Sequence, residues 1–308
     1  MLILGGAHPN EPAGYITAAL LVENISVERG RVFVIPRANR SGFTHTEPGE
    51  AHPHFFEIPT PDGPRRFRYG CRFTNPLDQW PDPEVYLHYP SGQRLSGTET
   101  RNLNRAFPGR ASGNFTERLA FAITQLIEAE RVDLVIDLHE ASPEYPVINA
   151  IVAHERAMDV AALANLNLQA EGLQYSLEPS PTNFRGLTHR EIGDATLAMA
   201  ILMESANLMQ GRLRGRCDAG LILDGQDPWY LSAARAGLVR VPYDETGIPL
   251  EVRVGRHLAG VQALTDALAF VSPDRAVSIR GIPSYADAQE RGMGAYLIPK
   301  TKQPKRGE

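Results

Sequence analysis

The sequence predicts an α/β protein: a three-layer sandwich with a mixed, mainly parallel central sheet. Three observations carry this. Short, strongly apolar runs recur at Met1–Leu4, Val132–Leu138 and Thr196–Met203. Runs of that length read as strands buried on both faces, and parallel strands need such burial. Helix-like stretches lie between them, which is the alternation that builds a parallel sheet covered by helices. The chain has 308 residues, 43% hydrophobic and 22% charged, enough for one sizeable core.

The elements follow in order. Met1–Leu4 reads as a buried strand, and Pro12–Asn24 as a helix with Ala13, Ile16, Ala19 and Leu20 on one face. Arg31–Ile35 is a strand stopped by Pro36. Residues 37–115 are dense in Pro, Gly, His and aromatics and form one long inserted loop segment, with short strands near Phe55–Ile58 and Arg66–Tyr69. Thr116 is expected to cap a helix running to Arg131. Strands are expected at 132–138 and Val147–Ala153, with a helix at Glu155–Glu171. Thr196–Met203 has a helix-compatible composition, but its short length and the Glu204 that follows favour a strand. Helices at Pro228–Ala236 and His257–Phe270 flank a short strand at Leu250–Val254, and the tail from Pro299 is expected to fray. Residues 1–205 then form a catalytic core, while 206–308 complete it and could cap the site.

Composition excludes several classes. The net charge of −5 leaves no basic footprint for nucleic acid. No apolar run approaches a membrane span, and the first residues lack the basic region of a secretory signal, so a cytoplasmic location is expected. Cys71 and Cys217 are read as two unpaired thiols with no zinc-type spacing. Oligomeric state, a homo-oligomer included, is left open.

The chemistry sits at strand ends, where open α/β sheets gather their ligands. His8 and Glu11 follow the first apolar run, His139 the second, and Glu204 the third. A His and a Glu three apart, with a distant second His, make the two-His-one-carboxylate set of a catalytic zinc, which keeps a position open for water. Taken alone, the first pair could equally be a loop His beside a Glu that favours a helix dipole. Arg101-Asn102-Leu103-Asn104-Arg105 adds guanidinium groups suited to carboxylates and oxyanions. His45, His52, His54 and His88 hint at extra metal but lack coherent spacing, so the segment reads as a rim or lid.

Four blocks occur in one order: Gly-Gly-Ala-His-Pro-Asn-Glu-Pro-Ala-Gly (5–14), Leu-Asn-Arg-Ala-Phe-Pro-Gly (103–109), Asp-Leu-His (137–139) and Met-Glu-Ser (203–205). Together they resemble the succinylglutamate desuccinylase/aspartoacylase family of the zinc carboxypeptidase superfamily. The resemblance spans residues 1–205 and implies a zinc carboxypeptidase-like fold. It implies one zinc ion held by His8, Glu11 and His139, substrate binding by Asn104 and Arg105, and Glu204 as catalytic glutamate. Where the family carries an oxyanion-stabilising Arg, this chain has Gly97; Arg101, inside the motif, is assigned that role in preference to Arg94. Glu140 is either an orienting group behind the metal or a strand-end charge. Tyr145 and Arg185 are softer substrate-binding candidates. The implied activity is zinc-dependent hydrolysis of the amide bond of a small N-acyl amino acid. A zinc carboxypeptidase acting on a peptide or cell-wall peptide is the alternative, and a non-catalytic relative the third reading.

Overall fold

A computed structural model describes residues 1–47 and 52–298. Strand β1 is Leu2–Gly5, followed by helix α1 at Pro12–Asn24 and strands β2 (Ser26–Arg29) and β3 (Phe33–Ile35). The long inserted segment holds two hairpins: β4 (Phe55–Ile58) with β5 (Arg65–Arg68), where short strands are expected, and β6 (Val85–Leu87) with β7 (Arg94–Ser96), which the sequence does not announce. Helix α2 (Phe115–Ala129) leads into β8 (Leu134–Ala141) and β9 (Ala150–Ala153). Helix α3 (Met158–Ala170), β10 (Ser176–Pro179), α4 (Thr188–Ala195) and β11 (Met199–Ala206) follow. The rest is α5 (Ala219–Asp224), α6 (Pro228–Arg235), α7 (Leu250–Val271), β12 (Ser278–Arg280) and α8 (Tyr285–Arg291).

Six strands form the central sheet in the order β10-β9-β11-β8-β1-β3. Every neighbouring pair is parallel except β11 with β9, so the sheet is mixed and mainly parallel, as the apolar runs predict. Strand alternation splits the core into two faces. Ile3, Ile136 and Ile201 face one way and pack with Ile16 and Leu20 of α1, Val160 and Leu168 of α3, and Val254, Leu258 and Leu264 of α7. Leu2, Leu4, Val135 and Ala200 face the other way, against Ala120, Ile123 and Ile127 of α2, Ile192 of α4, and Leu103 and Phe107. These are the three layers. Residues after 206 contribute α7 to this same core.

Two expectations are corrected. Leu250–Val254 is not a strand but the start of α7. Its local apolar-polar alternation fits period 2, but Leu250, Val254, Leu258 and Val261 are all buried, which is the 3.6-residue period of one continuous helix. The cap of α2 is Asn114 rather than Thr116. Its side chain accepts from Glu117 N while the Glu117 carboxylate accepts from Asn114 N, a capping box. Thr116 is buried instead, and its hydroxyl donates to Gln79 Oε1. Strands β10 and β12 and helices α4, α5 and α8 were not foreseen. The tail expected to fray from Pro299 lies outside the described residues.

One close approach sets the site. Gly14, in the first turn of α1, packs on the β8 backbone, where a Cβ would come 2.3 Å from the Leu138 carbonyl oxygen. Only glycine lets α1 start this near the end of β8. Gly14→Ala should therefore destabilise the fold by about 1–3 kcal/mol through overpacking, although alanine is the better helix former. Urea denaturation checks this; an unchanged or raised midpoint would contradict it.

Candidate metal centre and cavity

The turn after β1 runs through Gly6, whose φ of +66° lies in the region glycine tolerates best. It carries His8 and Glu11 to the start of α1. Glu11 stands at the cap position, with Pro12 next, but its side chain makes no cap bond to its own helix. The carboxylate turns to the end of β8 instead. His139 and Asp137, two residues apart, share one face of that strand. In β11, Glu204 pairs in register with His139.

Glu11 bridges two imidazoles. Its Oε1 lies 2.7 Å from His8 Nδ1 and its Oε2 2.9 Å from His139 Nδ1. The far nitrogen of each ring is committed elsewhere. His8 Nε2 donates to Asn102 Oδ1 at 2.8 Å, and that amide is oriented by its own bond to Glu99. His139 Nε2 donates to Asp137 Oδ2 at 2.8 Å. Both Nδ1 atoms thus face carboxylate oxygens, an arrangement that a proton or a shared cation satisfies. One donor atom from each of His8, Glu11 and His139 lies within 4.8 Å of the others, and all three residues are buried. Imidazole nitrogen and carboxylate oxygen are ordinary zinc donors at about 2.0–2.2 Å. The residues present fit a zinc ion.

The electrostatics agree with that fit. Burial, with Arg72 nearby, pushes His8 down to about 4, so its imidazole is neutral and able to ligate. Burial alone would raise Glu11, but the charges and hydrogen bonds of His8 and His139 hold it well below the usual carboxylate range. Burial would lower His139, but Asp137 and Glu11 on either side hold it well above its ordinary value. Two carboxylates around one imidazole favour positive charge here, whether proton or metal. Burial pushes Glu204 up to about 8. Its Oε2 is buried with no hydrogen-bond partner among the described residues. A carboxylate oxygen left so is costly unless it meets a water, a substrate or an ion.

A cavity of about 610 Å³ opens over this cluster. His8, Glu11, His139, Glu204, Asn104 and Arg105 all line it, as does Tyr145. Asn104 Oδ1 accepts from Thr188 N at 2.8 Å, which fixes its amide. The Arg105 guanidinium lies 4.5 Å from the centre of the Phe184 ring, with Glu99 at 3.7 Å, and burial lowers its pKa. Glu140 turns to the other face of the sheet. It accepts from Arg253 Nη1 at 2.6 Å and from Ala13 N at 2.8 Å, tying α1 and α7 to β8.

Three candidates do not reach the cavity. Arg101, assigned to the oxyanion, is buried and committed elsewhere: to Asp82 at 2.7 and 3.0 Å, to Glu47 at 3.1 Å and to the Thr74 carbonyl at 2.9 Å. It holds the loop segment together. Arg185 pairs with Glu191 and Asp194. Arg94, the other candidate, lies in β7 and is not a lining residue. The guanidinium at the cluster is Arg72, with Nη1 3.1 Å from His8 Nδ1 and Nη2 3.4 Å from Glu11 Oε1. No motif marks it, because long-range contacts place it: Cys71 N donates to Gly42 O and Thr74 N to Arg101 O. His189 also lines the cavity; burial pushes it down to about 3, and its Nδ1 lies 2.8 Å from Ser180 Oγ. His88 is a packing residue, bonded to Phe107 O and Ser91.

Residues 86–199 match the model of the succinylglutamate desuccinylase/aspartoacylase catalytic domain. No curated protein matches the sequence. Among solved structures, product-bound Csd4 from Helicobacter pylori aligns at 14% identity over 94% of this chain and 54% of its own, with a TM-score of 0.52. That shows a shared fold. The mDAP-bound form of Csd4, a D,L-carboxypeptidase, aligns at 15% over 87% of this chain and 50% of its own, with a TM-score of 0.49. An aspartoacylase family protein from Mesorhizobium loti aligns at 23% over 68% and 53%, with a TM-score of 0.37. The chain spans about half the length of these structures. The fold is a mixed, mainly parallel α/β sandwich of the kind seen in Csd4. The likeness to the succinylglutamate desuccinylase/aspartoacylase family rests on residues 86–199.

If Asp137 orients His139 for a metal, Asp137→Asn should weaken zinc affinity by about 10–100-fold while leaving the fold intact. Competition against a chromogenic chelator measures this; wild-type affinity in the variant would remove Asp137 from the account.

Proposed function

We propose that this protein is a zinc-dependent amide hydrolase whose substrate carries a free carboxylate beside the scissile bond. One observation carries the reading: two buried imidazoles turn their Nδ1 atoms onto one carboxylate, beside a buried glutamate with an unpartnered oxygen. His8, Glu11 and His139 would hold the ion. When bound, zinc supplies Lewis acidity and lowers the pKa of water toward ~7. Glu204 takes a proton from the attacking water and delivers it to the leaving nitrogen as the C–N bond breaks. Burial that raises its pKa keeps the proton long enough for that second transfer. Arg72 faces the place where negative charge develops on the carbonyl oxygen. Arg105, with Asn104, binds the substrate carboxylate; the Phe184 ring and Glu99 restrain its guanidinium.

Both a small N-acyl amino acid and the C-terminal residue of a short peptide present that carboxylate. A C-terminal cap over the cavity would favour the first. Among the described residues, those after 206 give only Gln210 and Arg212 to the lining. The substrate panel below separates the two.

The test is metal analysis with a panel of N-acyl amino acids and short peptides, using a chelator as control. Loss of turnover on chelation, restored by zinc, is expected; full turnover in the chelated protein would overturn the proposal. Glu204→Gln should abolish hydrolysis yet keep the metal. Arg72→Ala should cost about 10²–10³ in kcat, the usual loss on removing one oxyanion donor, whereas Arg101→Ala should act through stability. A kcat unchanged in Arg72→Ala would remove that arginine from the reaction.

A further inference from the structure

The loop segment brings together a second donor set, apart from the cavity. His45, Glu47 and Cys71 each offer one ligand atom, and these lie within 4.8 Å of one another. None of the three lines the cavity. Cys71 is fully buried and the other two are partly so. Sequence spacing hid the cluster, because Cys71 sits 24 residues beyond Glu47.

Each donor residue is also hydrogen-bonded to the surrounding chain. His45 Nε2 donates to the Phe73 carbonyl at 2.8 Å, which leaves Nδ1 as the ring's acceptor. Phe73 N donates to Cys71 Sγ at 3.4 Å, a bond that favours a thiolate. Arg101 Nη1 donates to Glu47 Oε2 at 3.1 Å. Cys71 Sγ and Glu47 Oε2 are 3.7 Å apart. Two tetrahedral ligands at about 2.3 and 2.0 Å from one zinc ion would be separated by about 3.5 Å. Charge balances as well. Asp82 already neutralises Arg101 through a two-point bond. Glu47 and a Cys71 thiolate then leave two negative charges, which is the demand of one divalent cation.

We propose that His45, Glu47 and Cys71 bind a second divalent metal ion, of the zinc class by virtue of the thiolate. Binding releases the thiol proton to solvent, since a coordinating thiol is deprotonated. The ion would tie the stretch after the short 3-10 helix Ser41–Thr44 to Cys71, and so fix the backbone that carries Arg72 to the cavity.

Cobalt(II) titration of the full chain tests this, because only the second site contains sulfur. The wild type should take up two equivalents and show near-ultraviolet thiolate-to-cobalt absorption. Cys71→Ser should take up one equivalent and lose that absorption. Cys217→Ser, which removes the exposed thiol, should behave as wild type. His139→Ala should keep the absorption while losing the other equivalent, which separates this site from the catalytic one. A wild type with no thiolate absorption would overturn the proposal even if a variant failed to fold. So would absorption that survives Cys71→Ser and disappears with Cys217→Ser.

Discussion

The Glu11 carboxylate between two buried imidazoles is the constraint on which the rest of the site depends. Burying such a cluster is expensive unless every group is paired. The chain meets that demand from three directions. The Glu140 backbone N–H donates to Glu11 Oε2 at 3.0 Å, Asn102 fixes His8, and Asp137 fixes His139. The partners come from β8 and from the 102–105 turn, so the cluster can form only when both stand beside the turn that follows β1. The close contact of Gly14 with β8 is what brings Glu11 within reach.

Two arginines show how partners decide a role. Arg101 and Arg72 both lie in or near the 37–115 segment, and both are guanidinium groups suited to an oxyanion. Arg101 meets two carboxylates and a carbonyl, and its surroundings leave it buried and structural. Arg72 is paired only loosely with Glu11, at 3.4 Å, and faces the cavity. The difference lies in Asp82 and Glu47, residues that no reading of the Arg101 motif would consult.

The fold was legible where local chemistry and tertiary packing agree. α1 spans Pro12–Asn24 as its pattern indicates, because Pro12 suits a first turn and Ile16 and Leu20 form one buried face. The strands ending at Gly5, Ala141 and Ala206 were visible as apolar runs, since both faces are buried. The chemistry followed, as His139 and Glu204 sit near those ends. The cap expected at Thr116 falls at Asn114, where Glu117 three residues on completes the box. What failed was set by distance in sequence. Leu250–Val254 alternates locally, and only its continuation to Leu258 and Val261 reveals a helix. β2 forms by pairing with β12, some 250 residues later, and has no exclusive local signal. Arg72, Asp82 and the His45–Glu47–Cys71 cluster belong to the same class: irregular backbone whose course is decided by remote hydrogen bonds.

The central claim is that His8, Glu11 and His139 share one ion. Anomalous diffraction at the zinc edge, from crystals of the zinc-loaded protein, tests it most directly. The account predicts a peak about 2.0–2.2 Å from His8 Nδ1, His139 Nδ1 and a Glu11 carboxylate oxygen. A well-ordered crystal with no peak among those three side chains would contradict it.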